Sequence, residues 1–414
     1  MLFRSLDRLF VRHEPPLQVV CDGFRLDFEY GSNAFPELLS RSVSLPKDRL
    51  SALAGVLNGK LKGKGKFSQA IAGLELPVEY EWFGSLQAAL YGSLLPEDIE
   101  NSDYLELCRE CSKGIRFPLG GRGALKQHLI GRLSAFGGSL RRSSHVEQLV
   151  FERKKLAGVL LSSYEGFVRS RRVVGAMAAA SLAKLLPAEM KNRGLEEAVR
   201  EIRPKGWKLG FTLLVPDSVI PEGMGSHIAL MDLESDSLAD GLLQLQVFPK
   251  DFYGGIPPKH RAILGRIILP FDERSVSPRA ISVALKVALH RVERLIPFLQ
   301  GQPFSMYPDP RNLESDPVFQ KYYRFPDPSH IPGSLLVYEK AFGDRRDTLS
   351  SLDWTSFGLP GLALCSRDIR PLEGVFGEIL SAMELLEVWK KQDKIPGKAR
   401  PKRRGVQRSG ASAP

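Results

Sequence analysis

The sequence predicts a mixed α/β (α+β) protein of two or three domains. Three observations carry this. The chain has 414 residues, two to three times the common domain size, enough to bury a sizeable core. Strand-like and helix-like segments alternate along it. Between residues 145 and 174, three strand-like runs follow one another across short polar turns, the pattern of a β-meander.

Composition narrows the class. Hydrophobic residues make up 43% and charged residues 25%, which excludes a mostly disordered, fibrous or collagenous chain. No run of 18 uninterrupted apolar residues occurs. The best candidate, 173–186, is too short and contains Lys184. The opening MLFRSLDRLFVRHEPP lacks the apolar core and small-residue cleavage site of a signal peptide. Four cysteines fit a reducing compartment, so a cytoplasmic protein is expected. Net charge is +11, but eight basic residues from Lys391 onward face Asp393 alone, so that tail holds +7 and the rest +4. The body is only mildly basic, a weak signature of nucleic-acid binding. The tail, 391–414, is expected to lack fixed structure and to act as a solubilising or electrostatic arm.

The elements follow in order. Residues 1–12 place Leu2, Phe3, Leu6, Leu9 and Phe10 at helical spacing opposite a basic side, and Pro15-Pro16 stop the pattern. Such a helix either packs on the core or lies on a membrane surface. LQVVC and FRLDFEY alternate around Asp22-Gly23, a hairpin signal. Helices are expected at 35–41, 48–58, 85–92 and 103–114. IRFP is a short strand and LGGRG a tight turn. A helix at 124–136 carries Leu125, Leu129, Ile130 and Leu133 on one face and ends at Gly137-Gly138. The meander occupies 145–152, 156–162 and 167–174. Four further strands are expected within 210–271, then a helix at 281–299 with Val283, Val287, Ala288, Val292, Leu295 and Ile296 as its apolar set. Residues 302–332 read as a surface excursion, 334–339 and 362–365 as strands, and 374–389 as a helix opened by Gly374 and Gly377. Glycines where a loop meets a helix N-terminus let backbone N–H groups approach an anion.

Several motifs fall short of their chemistry. KLKGKGK at 60–66 lacks the ending and following helix of a P-loop. Cys108 and Cys111 form a lone C-x-x-C without the second pair a zinc site needs. Gly121-x-Gly123 has Lys126 where a dinucleotide fingerprint places its third glycine. The histidines are scattered, and no Ser/His/Asp grouping, H-E-x-x-H or paired carboxylate motif is visible.

The segment FPLGGRGALKQHLIGRLSAFGGSLRRSSHVEQLVFERKKLAGVLLSS resembles the middle of phytoene desaturase-like flavoproteins, within the FAD-dependent amine oxidase superfamily. The block PGLALCSRDIRPLEGVFGEILSAMELLEVWKK resembles their second FAD-contacting segment. CDGFRLDFEYGSNAF resembles the run that leads into their substrate domain.

The resemblance implies a bilobal FAD/NAD(P)-binding-like fold, discontinuous in sequence. Residues 1–45, 115–200 and 345–390 would form an incomplete FAD-binding-like domain. Residues 46–114 and 201–344 would form a substrate domain on a mixed sheet. Pro118, Gly120 and Gly121 match the family's Pro and Gly-Gly, and Val146 matches the strand that meets the adenine. Asp368, Pro371, Gly374, Val375 and Gly377 match the terminal segment that faces the flavin or its pyrophosphate. The implied cofactor is FAD, and the implied activity is oxidation of an apolar substrate such as a polyene, carotenoid or isoprenoid, by hydride transfer to the cofactor. The same resemblance implies an apolar small molecule as partner. The basic N-terminal helix and the tail suit peripheral membrane contact, and nucleic acid ranks last because the tail has no interleaved aromatics and no nucleic-acid-binding motif appears.

Two departures bear on this. The family's opening strand, G-x-G-x-x-G and helix do not occur before Cys21, and Ser366-Arg367 stand where the family has Gly-Asp. Three readings remain open: a reading frame that starts late, a relative that binds no flavin, or a unit supplied by another chain. The alternative function is accordingly a non-catalytic lipid- or partner-binding protein.

Overall fold

The computed structural model describes residues 10–12, 17–21, 24–28, 116–118, 120–162, 166–200, 204–232, 234–236, 238–250, 256–272, 277–313, 315, 336–338, 353–366, 369 and 375–394, with Gly65, Lys66, Gln69, Leu86, Leu90 and Asn101 besides. In chain order the strands and helices are β1 (Phe10–Arg12), β2 (Leu17–Cys21), β3 (Phe24–Phe28), β4 (Arg116–Pro118), α1 (Gly121–Ala135), β5 (Val146–Glu152), β6 (Lys155–Leu161), β7 (Phe167–Arg169), β8 (Val173–Gly175), α2 (Ala179–Lys184), α3 (Arg193–Arg200), β9 (Pro204–Pro216), β10 (His227–Met231), α4 (Leu238–Gly241), β11 (Leu242–Val247), β12 (His260–Pro270), α5 (Pro278–Leu295), β13 (Ser305–Tyr307), β14 (Leu336–Tyr338), β15 (Leu362–Leu364) and α6 (Val375–Lys394). The expected mixed α/β class is the observed one.

One lobe is an eight-stranded mixed sheet ordered β13-β9-β12-β11-β10-β2-β3, with β14 also on β9. Its long strands alternate as a half-buried sheet must. Leu209, Phe211, Leu213 and Val215 of β9 are buried while Thr212 between them is exposed. Helix α5 covers that buried face with Ile281, Leu285, Ala288 and Val292, and the Ile, Leu and Val side chains each contribute about 1.5–3 kcal/mol. Ser277 caps the helix, its Oγ accepting the Ala280 N–H at 3.2 Å, and proline stands at its start. Arg291 then reaches back to donate to the carbonyls of Leu230 (3.0 Å) and Gly241 (2.7 Å), tying helix to sheet.

The hairpin β2–β3 forms as expected, with Cys21 opposite Phe24 and two residues between them. It joins the large sheet because β2 pairs in parallel with β10. Buried Gln18 fixes that junction: its Nε2 donates to the Gly223 carbonyl at 2.9 Å, and its Oε1 accepts the Gly225 N–H at 2.6 Å.

The second lobe contains the meander β5–β6–β7 and a separate parallel pair, β8 with β15. Leu149 and Leu156 of the meander share a core with Leu182 of α2, Leu195 of α3, Trp354, Leu362 and Leu364.

Several expectations need correction. Residues 10–12 are a strand rather than the end of a helix: Phe10–Arg12 pairs antiparallel with β4, so a non-local partner overrides helical spacing. The run 167–174 is two strands. Ser170 Oγ donates to the Arg172 carbonyl (2.6 Å) and accepts the Arg172 N–H (3.3 Å), and this turn sends β8 away from the meander. Val283 and Val287 of α5 are exposed, because the core-facing stripe runs through Ile281 and Leu285. Residues 305–307 within the expected excursion add an edge strand to β9. The expected helices at 35–41, 48–58 and 103–114, Cys108, Cys111 and residues 395–414 of the tail lie outside the described residues, as does most of 85–92; the tail's first four residues, 391–394, are helical as the end of α6 rather than without fixed structure. Leu86 there is helical and buried.

The β5–β6 turn places Arg153 (φ 51°) and Lys154 (φ 62°) in the left-handed region. Two-residue hairpin turns of this kind favour Asn-Gly. Replacing the pair by Arg153→Asn/Lys154→Gly is expected to raise stability by about 1 kcal/mol, read as a higher urea midpoint at unchanged slope.

Candidate functional site at the carboxyl ends of a parallel strand pair

Strands β8 and β15 run in the same direction with Val173 opposite Leu362 and Gly175 opposite Leu364. The Val173 N–H donates to the Gly361 carbonyl at one end, and the Cys365 N–H to the Gly175 carbonyl at the other, both at 2.9 Å. In open α/β sheets, ligands bind beyond the carboxyl ends of parallel strands. Here that mouth is built from Gly175, Ala176, Met177 and Ala178 after β8, and from Cys365 and Ser366 after β15.

Two glycines set its shape. A Cβ on Gly175 would lie 2.7 Å from Leu182 Cδ2, so glycine lets α2 rest close against the strand. Gly361 has φ +86°, and a Cβ there would fall 2.4 Å from the Arg171 carbonyl oxygen. The far edge of β15 carries an antiparallel bridge from Asp353 to Ala363. Asp353 is buried and fully engaged. Its Oδ1 accepts from Thr355 N–H (3.1 Å) and Thr355 Oγ1 (2.5 Å), and its Oδ2 accepts from Gln392 Nε2 (2.9 Å). Helix α6 is held against this lobe by Arg172, which bonds both carboxylate oxygens of Asp393 (3.1 and 2.8 Å) and lies 4.8 Å over the Trp389 ring.

Among the described residues the mouth carries no charged side chain. Val174 is 43% and Met177 38% exposed, high for such side chains beside a packed core. Burial pushes the Cys365 thiol up to about 11. The thiol therefore stays protonated at neutral pH and is no nucleophile. At pH 8 its alkylation by iodoacetamide is expected to be roughly a hundredfold slower in the native chain than in urea. Mass spectrometry of the peptide containing Cys365 checks this.

Of the residues singled out from sequence, Val146 opens β5 and is half-buried, opposite Leu161. Gly120 (φ 73°) and Gly121 (φ 71°) form the corner between β4 and α1, on the β1–β4 ribbon. Val375 and Gly377 lie in the first turn of α6. Asp368, Pro371 and Gly374 lie outside the described residues. The mouth residues Gly175, Ala176, Met177 and Cys365 were missed, and Ser366 was noted only as a departure from the family's Gly-Asp. The available signal was the pattern of a short apolar strand, then small residues, then a helix or turn, present at both 173–179 and 362–366. Among the described residues no cluster of His, Cys, Asp or Glu could hold a metal, and no helix is long and apolar enough to cross a membrane.

A lobe with a parallel pair and meander, beside a lobe built on a large mixed sheet, defines a two-lobed mixed α/β class of fold. Solved structures place it more closely. The chain is similar to an oxidoreductase from Methanosarcina mazei, with 16% identity over 91% of this chain and 82% of that one, at a TM-score of 0.62. It is similar to a putrescine oxidase double mutant made in a redesign of cofactor binding (11% identity, 93% and 85% covered, TM-score 0.56). It is also similar to the cyclohexylamine oxidase of Brevibacterium oxydans (13% identity, 94% and 84% covered, TM-score 0.54). The chain thus shares the fold of these solved structures, a two-lobed fold of the kind the resemblance implied. No family model matches the sequence, and no curated protein matches it.

Proposed function

We propose that the chain is an FAD-dependent oxidoreductase of the phytoene desaturase-like type, acting on an apolar, polyene- or isoprenoid-like substrate. The observation that carries this reading is the mouth of the β8–β15 pair within an amine oxidase-type fold. Its exposed apolar side chains and small neighbours suit a flat ring system: Val174 and Met177 offer area to cover, and Gly175, Ala176 and Ala178 leave room. When bound there, FAD supplies a two-electron acceptor for a hydride from substrate carbon. The protein's own share is positioning and exclusion of water. Val174 and Met177 shield one face, and Asp353 and Arg172 hold the surrounding turns and α6 in place. The described mouth residues, Gly175, Ala176, Met177, Ala178, Cys365 and Ser366, include no carboxylate, which suits an uncharged substrate better than a cationic amine.

The second reading, a non-catalytic lipid- or partner-binding relative, is favoured by the absence of G-x-G-x-x-G from the sequence and by the Asp353 segment on the free edge of β15. One experiment separates the two. Purified chain is mixed with excess FAD and passed through gel filtration. Flavin absorbance is expected to travel with the protein and to weaken in Met177→Glu. Loss of all flavin on the column would favour the second reading.

A further inference from the structure

Helix α1 carries an apolar stripe that is left exposed among the described residues. Leu129 is 43% exposed, Leu133 42%, Phe136 72% and Leu140 50%. The first three recur every three or four residues along one side of α1 and its cap. The sequence puts Leu125, Leu129, Ile130 and Leu133 on one face of this helix, yet among its described residues only Gly121, at its start, is buried. Its end is well made: Gly137 takes φ 79° and the Gly138 N–H closes on the Leu133 carbonyl at 2.9 Å, which carries the chain on to Leu140. The exposed stripe therefore belongs to an ordered element with a defined stop.

The charge around the stripe is one-sided. Residues 111–146 hold Lys113, Arg116, Arg122, Lys126, Arg132, Arg141 and Arg142 and not one Asp or Glu. Lys126, Arg141 and Arg142 are exposed, and Arg132 stacks 4.9 Å over the Phe136 ring. In a body carrying only +4 apart from its tail, four of these cations, Lys126, Arg132, Arg141 and Arg142, belong to described residues within or just after α1, alongside four exposed apolar side chains.

We propose that α1 and the turn after it form a docking surface for a bilayer bearing anionic lipid headgroups. Leu129, Leu133, Phe136 and Leu140 would enter the headgroup–acyl boundary while the cations meet lipid phosphate and carboxylate. Charge complementarity selects this occupant. A second copy of the chain would bring the same cations, Lys126, Arg132, Arg141 and Arg142, against these, which repel. Single-stranded nucleic acid is bound by stacking on aromatic rings, and three of the four stripe residues are leucine. The surface is separate from the β8–β15 mouth, so the proposal stands apart from the proposed chemistry.

The test is cosedimentation of the full-length chain with sucrose-loaded vesicles of phosphatidylcholine alone, or with about 30% phosphatidylserine. Binding is expected to the anionic vesicles, falling roughly tenfold as salt is raised from low to above physiological strength. The exposed-site variant Leu129→Ser/Leu133→Ser/Phe136→Ser should lose about tenfold in vesicle affinity at unchanged melting temperature. Lys126→Glu/Arg141→Glu should lose binding to the anionic vesicles only. The tail variant Lys402→Ala/Arg403→Ala/Arg404→Ala should keep the dependence on the stripe. The proposal is overturned by any of three results: no sedimentation with either vesicle, binding insensitive to the serine substitutions, or a concentration-dependent dimer that those substitutions convert to monomer.

Discussion

Gly361→Val is expected to open the β8–β15 pair and destabilise the chain by roughly 3 kcal/mol. Two costs combine there. At φ +86° an L side chain is strained by about 1–2 kcal/mol. The new Cβ would also sit 2.4 Å from the Arg171 carbonyl oxygen, a backbone atom that cannot swing aside. The Gly361 carbonyl accepts the first inter-strand hydrogen bond, from Val173 N–H, so the displacement falls on the pairing itself. Gly358 is the internal control. Its φ is +75°, but its Cβ would meet nothing within 4 Å, so Gly358→Ala should cost only about 1 kcal/mol. Urea unfolding of the two variants measures the difference, and retained flavin absorbance after gel filtration shows whether the mouth has been lost. A Gly361→Val chain as stable as the Gly358→Ala chain would sink the argument.

The second large effect lies in the mixed sheet. Gly265 of β12 is directly opposite Phe211 of β9, and the Phe211 ring covers the place where a side chain on Gly265 would stand. A Cβ there would lie 2.0 Å from Phe211 Cζ. Phe211 is itself 1% exposed and sits in the core beneath α5. Gly265→Val should therefore destabilise by about 3 kcal/mol through overpacking, and Phe211→Ala by about 3–5 kcal/mol through the cavity it leaves. The double variant should cost less than the sum of the singles, because the valine fills part of that cavity. A double-mutant cycle on unfolding free energies reads the coupling directly, and strict additivity would show that ring and glycine act independently.

Much of the architecture was legible from local pattern. The hairpin around Asp22-Gly23, the meander and its Arg-Lys turn, the long strands between 204 and 270, and helices α5 and α6 each carry their period and stop signals within a dozen residues or so. The resemblance of the Gly-Gly, meander and terminal segments to amine oxidase-type flavoproteins pointed to the fold that the solved structures share. Of the mouth itself, little was legible. Val173–Gly175 reads as the tail of a meander strand, and its separation depends on the Ser170–Arg172 turn. Its partner in the parallel pair is Leu362–Leu364, nearly two hundred residues away, and nothing in either tripeptide specifies the other.

The sequence by itself determined the secondary-structure alphabet, the split between a nearly neutral body and a basic tail, and the acid-free stretch at 111–146, because these are properties of neighbouring residues. The tertiary structure alone decided three things. Phe10–Arg12 became a strand because β4 was there to receive it. Residues 173–178 and 365–366 came to form one mouth. Among the described residues the Leu129–Leu140 stripe stayed exposed. Periodicity says that a side of a helix is apolar. Whether another element arrives to cover that side depends on contacts between distant parts of the chain, which no local window contains.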